Sequence, residues 1–204
     1  MTSSVQSPAD VVNLALRRLG YKKQIGSLFD GSQAANVALT IYGQTRDEVL
    51  RADDWGFAER NVSLVLLKQA PVGGYFPPIV WTSAYPPIPW LYEYSYPSDC
   101  LKVRAIRGVP LILPNMDPKP VIFSVENDAS LADPDKVILC NVSSAILTYT
   151  GRLTNPVDWE ADFTEALAAA LARRMAPDLV GLDAAKLEAS DEQAAKTVAD
   201  NTQG

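Results

Sequence analysis

The chain has 204 residues, 48% apolar and 21% charged, which allows one generous domain or a domain with a large insertion and excludes wholesale disorder. A formal charge of −6 argues against a surface that grips nucleic acid by neutralising phosphates, though not against one that DNA slides past. Histidine is absent, which removes Ser-His-Asp and Cys-His catalysis and the usual zinc sites, and Cys100 and Cys140 are too few for a four-cysteine site.

The N-terminal MTSSVQSPAD lacks basic residues and an apolar core, so it does not read as a secretory signal. Ser7-Pro8 opens a helix over about 7–19, with serine as cap and proline at the first helical position. Asp10 suits the first turn, where the helix dipole favours negative charge, and Gly20 closes the element. In the connection that follows, Ile25, Leu28 and Phe29 are expected to tuck onto the core. The basic pairs Arg17-Arg18 and Lys22-Lys23 read as a solvated surface.

A long amphipathic helix is predicted over 32–54. Ala34, Ala35, Ala38, Leu39, Ile41, Tyr42, Val49 and Leu50 fall on one side of the wheel. Gln33, Asn36, Thr40, Gln44, Asp47, Arg51 and Asp54 fall on the other. The first two helices are most simply an antiparallel pair. Trp55 and Phe57 then turn the chain into a different pattern.

Residues 61–67 (NVSLVLL) read as strand. Residues 70–89 hold six prolines interleaved with Tyr75, Phe76, Trp81 and Tyr85, which forbids regular structure. Such a loop either folds back on its own domain or meets another subunit or a partner. From 90 to 150 short apolar runs alternate with polar turns, the pattern of an antiparallel sheet or small barrel. Both cysteines fall in these runs and read as buried free thiols. The acidic group Glu126, Asp128, Asp133 and Asp135 lacks the glycine and spacing of a calcium loop and reads as a solvated hairpin tip.

Asn155-Pro156 starts a third helix over about 156–176, with Trp159, Phe163, Ala166, Leu167 and Ala170 on one face and Pro177 ending or kinking it. Residues 183–199, within the C-terminal segment 183–204, offer helix propensity with only a thin apolar stripe, Ala184, Leu187, Ala194 and Val198. That segment is a frayed tail or an arm ordered by a partner. The fold class is therefore α+β: an antiparallel helical bundle from 1–58 and 152–182, an inserted β domain over 59–151, and a C-terminal helical arm. Tyr42, Trp55, Phe57, Trp159 and Phe163 are the expected core anchors. No apolar run approaches the roughly 18 residues needed to span a bilayer.

Five segments in order, LALRRLG, SLFDGSQAANVA, TRDEVLRADDWGFA, YEYSYPSDCLKVRAI and YTGRLTNPVDWEADFTEALAAALA, resemble the head-to-tail adaptors of short-tailed phages, the tail tubular protein A group, and the related adaptors of gene transfer agents. The resemblance covers roughly residues 9–176. It implies a structural virion protein of the neck, assembled in the host bacterial cytoplasm, that forms a ring, usually of twelve subunits, between the portal protein and the tail nozzle or hub. DNA would pass through the ring without sequence-specific binding. The resemblance makes 183–204 the candidate portal-docking arm and Tyr75, Phe76, Trp81 and Tyr85 the candidate intersubunit or partner loop. It calls for no catalytic residue, metal or cofactor.

Two alternatives remain. One is a virion-associated hydrolase of a cell-surface polymer, which needs a carboxylate pair roughly 5–10 Å apart across a cleft. Asp53, Asp54, Glu59 and Glu93 are its candidates. The other is a tail-completion or stopper protein of a long-tailed phage.

Overall fold

The computed structural model describes residues 7–76, 78–108, 120–131 and 135–181. The expected arm positions Ala184, Leu187, Ala194 and Val198, and Asp133, lie outside the described residues. The fold is mixed α+β, with three α-helices and two antiparallel sheets among those residues. The chain divides into two compact units, 1–57 with 153–204 and 58–152.

In the helical unit, α1 (Pro8–Arg18) starts on a full capping box. The Ser7 hydroxyl accepts from the Asp10 amide at 3.3 Å, and the Ser7 amide donates to the Asp10 carboxylate at 3.0 Å. The helix closes through Gly20, whose φ of 68° is the left-handed conformation that glycine adopts without cost. Asn13 then clamps the connection, its side chain accepting from and donating to the Ile25 backbone at 2.9 Å each. Ile25 is buried, as expected, but Phe29 is 80% exposed: the turn at Asp30 is held by its own hydrogen bonds to Gly26 and Ser32, leaving the ring outside.

Helix α2 (Gln33–Ala52) buries Ala34, Ala35, Ala38, Tyr42, Thr45 and Leu50. Leu39, expected on the buried side, is exposed, and Thr45, assigned to neither side, is buried. Thr45 is tolerated because its hydroxyl donates to the Ile41 carbonyl at 2.8 Å and accepts from Arg174 at 2.9 Å. On the polar face, Gln33, Asn36, Thr40, Gln44, Arg51 and Asp54 are exposed, while Asp47 is half-buried and paired with Arg46 at 2.6 Å.

Helix α3 (Ala161–Leu179) starts later and runs further than the expected 156–176. Pro156–Asp158 forms a separate 3-10 turn, capped by Asn155, and Pro177 lies inside the last helical turn rather than ending it. The remaining amides of that turn still bond, with Val180 and Gly181 both donating to the Ala176 carbonyl at 2.9 Å. The expected antiparallel pairing of α1 with α2 is not the main contact. Both helices pack chiefly on α3 instead. Alanine explains this: Ala168, Ala170, Ala172 and Ala176 interleave with Leu167, Leu171 and Met175, all buried, so α3 can be approached on two sides. Arg18 pairs with Glu165 at 2.6 Å, and the Gln33 amide donates to the Asp178 carbonyl at 3.2 Å.

Phe163, fully buried, is ringed by Trp159, Phe57 and Trp55 with centroids at 5.0, 5.2 and 5.3 Å, all edge-on. The indoles of Trp55 and Trp159 donate to the Val49 and Leu153 carbonyls, so each polar edge is satisfied where its ring is packed. Tyr42 is buried too, but its hydroxyl has no hydrogen-bond partner, and burial pushes its pKa above the usual range.

The β unit holds β1 (Glu59–Ser63), β2 (Leu66–Gln69), β3 (Tyr92–Ser95), β4 (Cys100–Arg107), β5 (Phe123–Asp128), β6 (Asp135–Cys140) and β7 (Ile146–Gly151). Instead of the expected single sheet or barrel there are two sheets, ordered β1-β7-β4 and β2-β3-β6-β5. The run read as one strand changes sheet midway. Leu64 donates to Ala145 in the first sheet, and Val65 accepts from Ser95 in the second, each at 2.9 Å. Between the sheets lies a shared core of Tyr94, Ile138 and Cys140 from one and Cys100, Ile106, Leu147 and Tyr149 from the other. Both cysteines are free and buried, and burial raises both thiols.

Candidate functional site: a covered cleft on the second sheet

Strand β6 is buried on both faces. Ile138 and Cys140 enter the shared core, so Val137 and Leu139 must point the opposite way. That outer face is not open to water. The proline-rich segment folds back over it and encloses a cleft of about 340 Å³, floored by Val137, Leu139 and Glu93 and walled by Trp81, Tyr85 and Pro87.

The covering segment is organised around one atom. The Tyr75 hydroxyl and the Trp81 indole both donate to the Pro86 carbonyl, at 2.6 and 2.8 Å, and the Tyr75 and Tyr85 rings meet edge-on at 6.2 Å. The Ile88–Pro89 peptide is cis. With so many amides missing, side-chain donors take the place of a backbone ladder. Of the four expected interface aromatics, Tyr75 and Tyr85 are half-buried within the loop, Trp81 is partly open, and Phe76 is 71% exposed. Val80 is 77% exposed, and Val72 and Ile88 also stand in water.

Three ionisable side chains meet in the cleft. Lys68 on β2 lies in register with Glu93 on β3, and Asp128 ends β5. The Lys68 ammonium pairs with the Asp128 carboxylate, lies 3.4 Å from Glu93 Oε1 and donates to the Ser130 hydroxyl at 2.8 Å. Glu93 is only 1% exposed, and its Oε1, though within ion-pair reach of the ammonium, receives no hydrogen bond.

Environment drives the two carboxyls apart. Burial raises the pKa of Glu93, Lys68 opposes the shift, and the hydrogen bond and charge of Asp128 reinforce it. Burial also tends to raise Asp128, but Lys68 and the Ser130 amide and hydroxyl outweigh it and hold Asp128 at about 2. Lys68 is raised: burial disfavours its charge, and the two carboxylates more than compensate. Glu93 thus holds its proton to higher pH than an ordinary glutamate, while Asp128 and Lys68 form an ion pair.

The sequence placed Asp128 in a solvated hairpin tip; it is instead nearly enclosed by Lys68 and Ser130. No group of three or more His, Cys, Asp or Glu side chains suited to a metal ion occurs among the described residues. Among the hydrolase candidates, Asp53 and Asp54 are exposed just beyond α2, Glu59 pairs with Arg104 at 3.1 Å, and Glu93 lines the cleft. Glu93 and its neighbour Asp128 both engage the Lys68 ammonium, so the two carboxyls belong to one ion-pair cluster. No helix among the described residues is long and apolar enough to cross a membrane. Scanned against protein-family models the chain matches none, and a search of curated proteins returns no match.

Proposed function

We propose that the chain is a structural head-to-tail adaptor of a phage or phage-like particle, without catalytic activity, whose copies form a ring between the portal protein and the tail nozzle or hub. In this reading α1, α2 and α3 form a bundle beside the DNA channel, and 183–204 dock on the portal. The ring resides in the virion neck after assembly in the bacterial cytoplasm. The exposed polar face of α2, from Gln33 to Asp54, meets a neighbour or the channel, and DNA passes without sequence-specific contact.

One observation carries the reading beyond the five-segment resemblance. The loop over 70–91 is fastened internally, yet it holds Val72, Phe76, Val80 and Ile88 in water. Four exposed apolar side chains on one internally fastened loop support a surface completed by another protein. The net charge of −6, repeated around a ring, supports a conduit that DNA does not stick to, since repulsion acts over about 8 Å at physiological salt. The test is co-sedimentation of the chain with its cognate portal and nozzle proteins. The reading expects a complex that the double variant Phe76→Ser, Val80→Ser weakens at least tenfold, and the absence of any complex counts against it.

A further inference from the structure

We infer that the cleft beneath the proline-rich loop is a binding site for an uncharged saccharide. The inference is independent of the adaptor reading and adds an activity to it. It rests on the walls of the cleft, on the sign of its charges and on one unsatisfied atom.

The Trp81 indole is tied through Nε1 to the Pro86 carbonyl, which fixes the plane of a ring still 45% exposed. With Tyr85 and Pro87 it forms a rigid apolar wall. Such a wall is the complement of a pyranose C–H face, and its rigidity lowers the ordering cost of binding. The same cleft is lined by hydrogen-bonding groups of both kinds: Ser83, Asn127 and Ser130 donate or accept, and Glu126 and Asp128 accept. Vicinal sugar hydroxyls require that mixture.

Charge narrows the class. An anion entering the cleft finds its one ammonium, Lys68, already engaged with Asp128 and Glu93, and a cation finds Asp128 already paired and only the exposed Glu126 open to it. Neither charge meets a buried partner that is free, whereas a neutral polyhydroxylated ligand meets partners for both its donors and its acceptors. Glu93 supplies the remaining observation. It is buried on the cleft floor, and its Oε1 is met only by the Lys68 ammonium at 3.4 Å, longer than a normal hydrogen bond, which leaves it room for a closer donor. A ligand hydroxyl supplies one. The volume of about 340 Å³ sits at the small end of ligand sites and suits one or two sugar rings. Because Glu93 and Asp128 are both tied to the Lys68 ammonium, the site is assigned to binding, not hydrolysis.

The test uses the ¹⁵N-labelled full chain and the Trp81 indole resonance. Maltotriose, chitotriose, xylotriose and a rhamnose trisaccharide are titrated alongside n-butylguanidinium and inorganic phosphate. The expected result is a saturable shift with at least one saccharide and none with either ion, and a tenfold or greater weakening in Glu126→Ala, an exposed residue whose removal leaves the fold intact. Trp81→Ala, checked for folding by its remaining spectrum, abolishes binding measured by calorimetry. No saturable shift with any saccharide overturns the inference, and so does a shift produced by butylguanidinium or phosphate instead. Because portal and nozzle are absent from this titration, its outcome leaves the adaptor reading where it stands.

Discussion

Tyr75 and Trp81 donate to the same carbonyl oxygen, that of Pro86, at 2.6 and 2.8 Å. Two hydrogen bonds on one acceptor replace the ladder that a segment so rich in proline cannot form. Each contributes about 1 kcal/mol net. Tyr75→Phe and Trp81→Phe are expected to cost about that much locally and to couple with each other, since both tether one peptide. Hydrogen exchange at the Ile79 and Tyr85 amides, which donate to Phe76 and Thr82 within the loop, should quicken in both variants. Unchanged exchange at both sites contradicts the picture of a fastened loop.

The Lys68–Glu93–Asp128 group makes stability depend on pH in two opposite directions. Asp128 is held at about 2 against an ordinary 3.8, so its favourable share is complete above 3.8 and is lost as pH falls toward 2. Glu93 is raised above its ordinary 4.5, so its share is complete below 4.5 and is lost as pH rises through its folded value. The two shares overlap near pH 4, where the group contributes most. Asp128→Asn is therefore expected to cost on the order of 2 kcal/mol at neutral pH and almost nothing below pH 2. In Glu93→Gln the loss on going from pH 4 to pH 8 disappears. Urea titrations of the three proteins across that range measure both effects.

Helix α3 carries contacts on two sides, so substitutions there should be felt more than equivalent ones on α1 or α2. Leu167→Ala, at a fully buried site, is expected to cost about 2–5 kcal/mol. Ala172→Leu adds volume where neighbouring helices approach and should cost about 1–3 kcal/mol. If α3 were only one wall of an antiparallel α1–α2 pair, Ala172→Leu would be nearly neutral in thermal or denaturant unfolding.

Thr45→Val removes the hydroxyl that accepts from Arg174 and donates to Ile41. The side chains have nearly the same shape, so the expected cost of about 1–3 kcal/mol comes from a stranded guanidinium donor. Arg174 retains Glu48, and combining Thr45→Val with Glu48→Gln should cost more than the sum of the two single changes.

What was legible in the sequence was mostly local. Ser7 caps the first helix and Gly20 closes it, as expected, because capping depends on neighbours within four residues, whereas Asn155 caps a separate 3-10 turn and not the third helix it was expected to start. The strands also lie where apolar runs meet polar turns. What was missed depends on partners distant in the chain. Nothing near Leu64 and Val65 announces that one apolar run feeds two sheets. Thr45 belongs inside only because Arg174 reaches it, and no wheel of α2 includes that residue. Glu93 sits between Tyr92 and Tyr94, and alternation correctly turns it away from the shared core. That its outer face is covered follows from a loop whose fold rests on the Pro86 carbonyl. Lys68 and Asp128, 60 positions apart, meet beneath that cover.

The central claim is that copies of this chain assemble on a portal. Electron microscopy of the purified chain mixed with its cognate portal protein tests it most directly. The account predicts a closed ring of copies seated coaxially on the portal, with the polar face of α2 at a subunit boundary or the lumen. A chain that stays monomeric beside undecorated portals contradicts it.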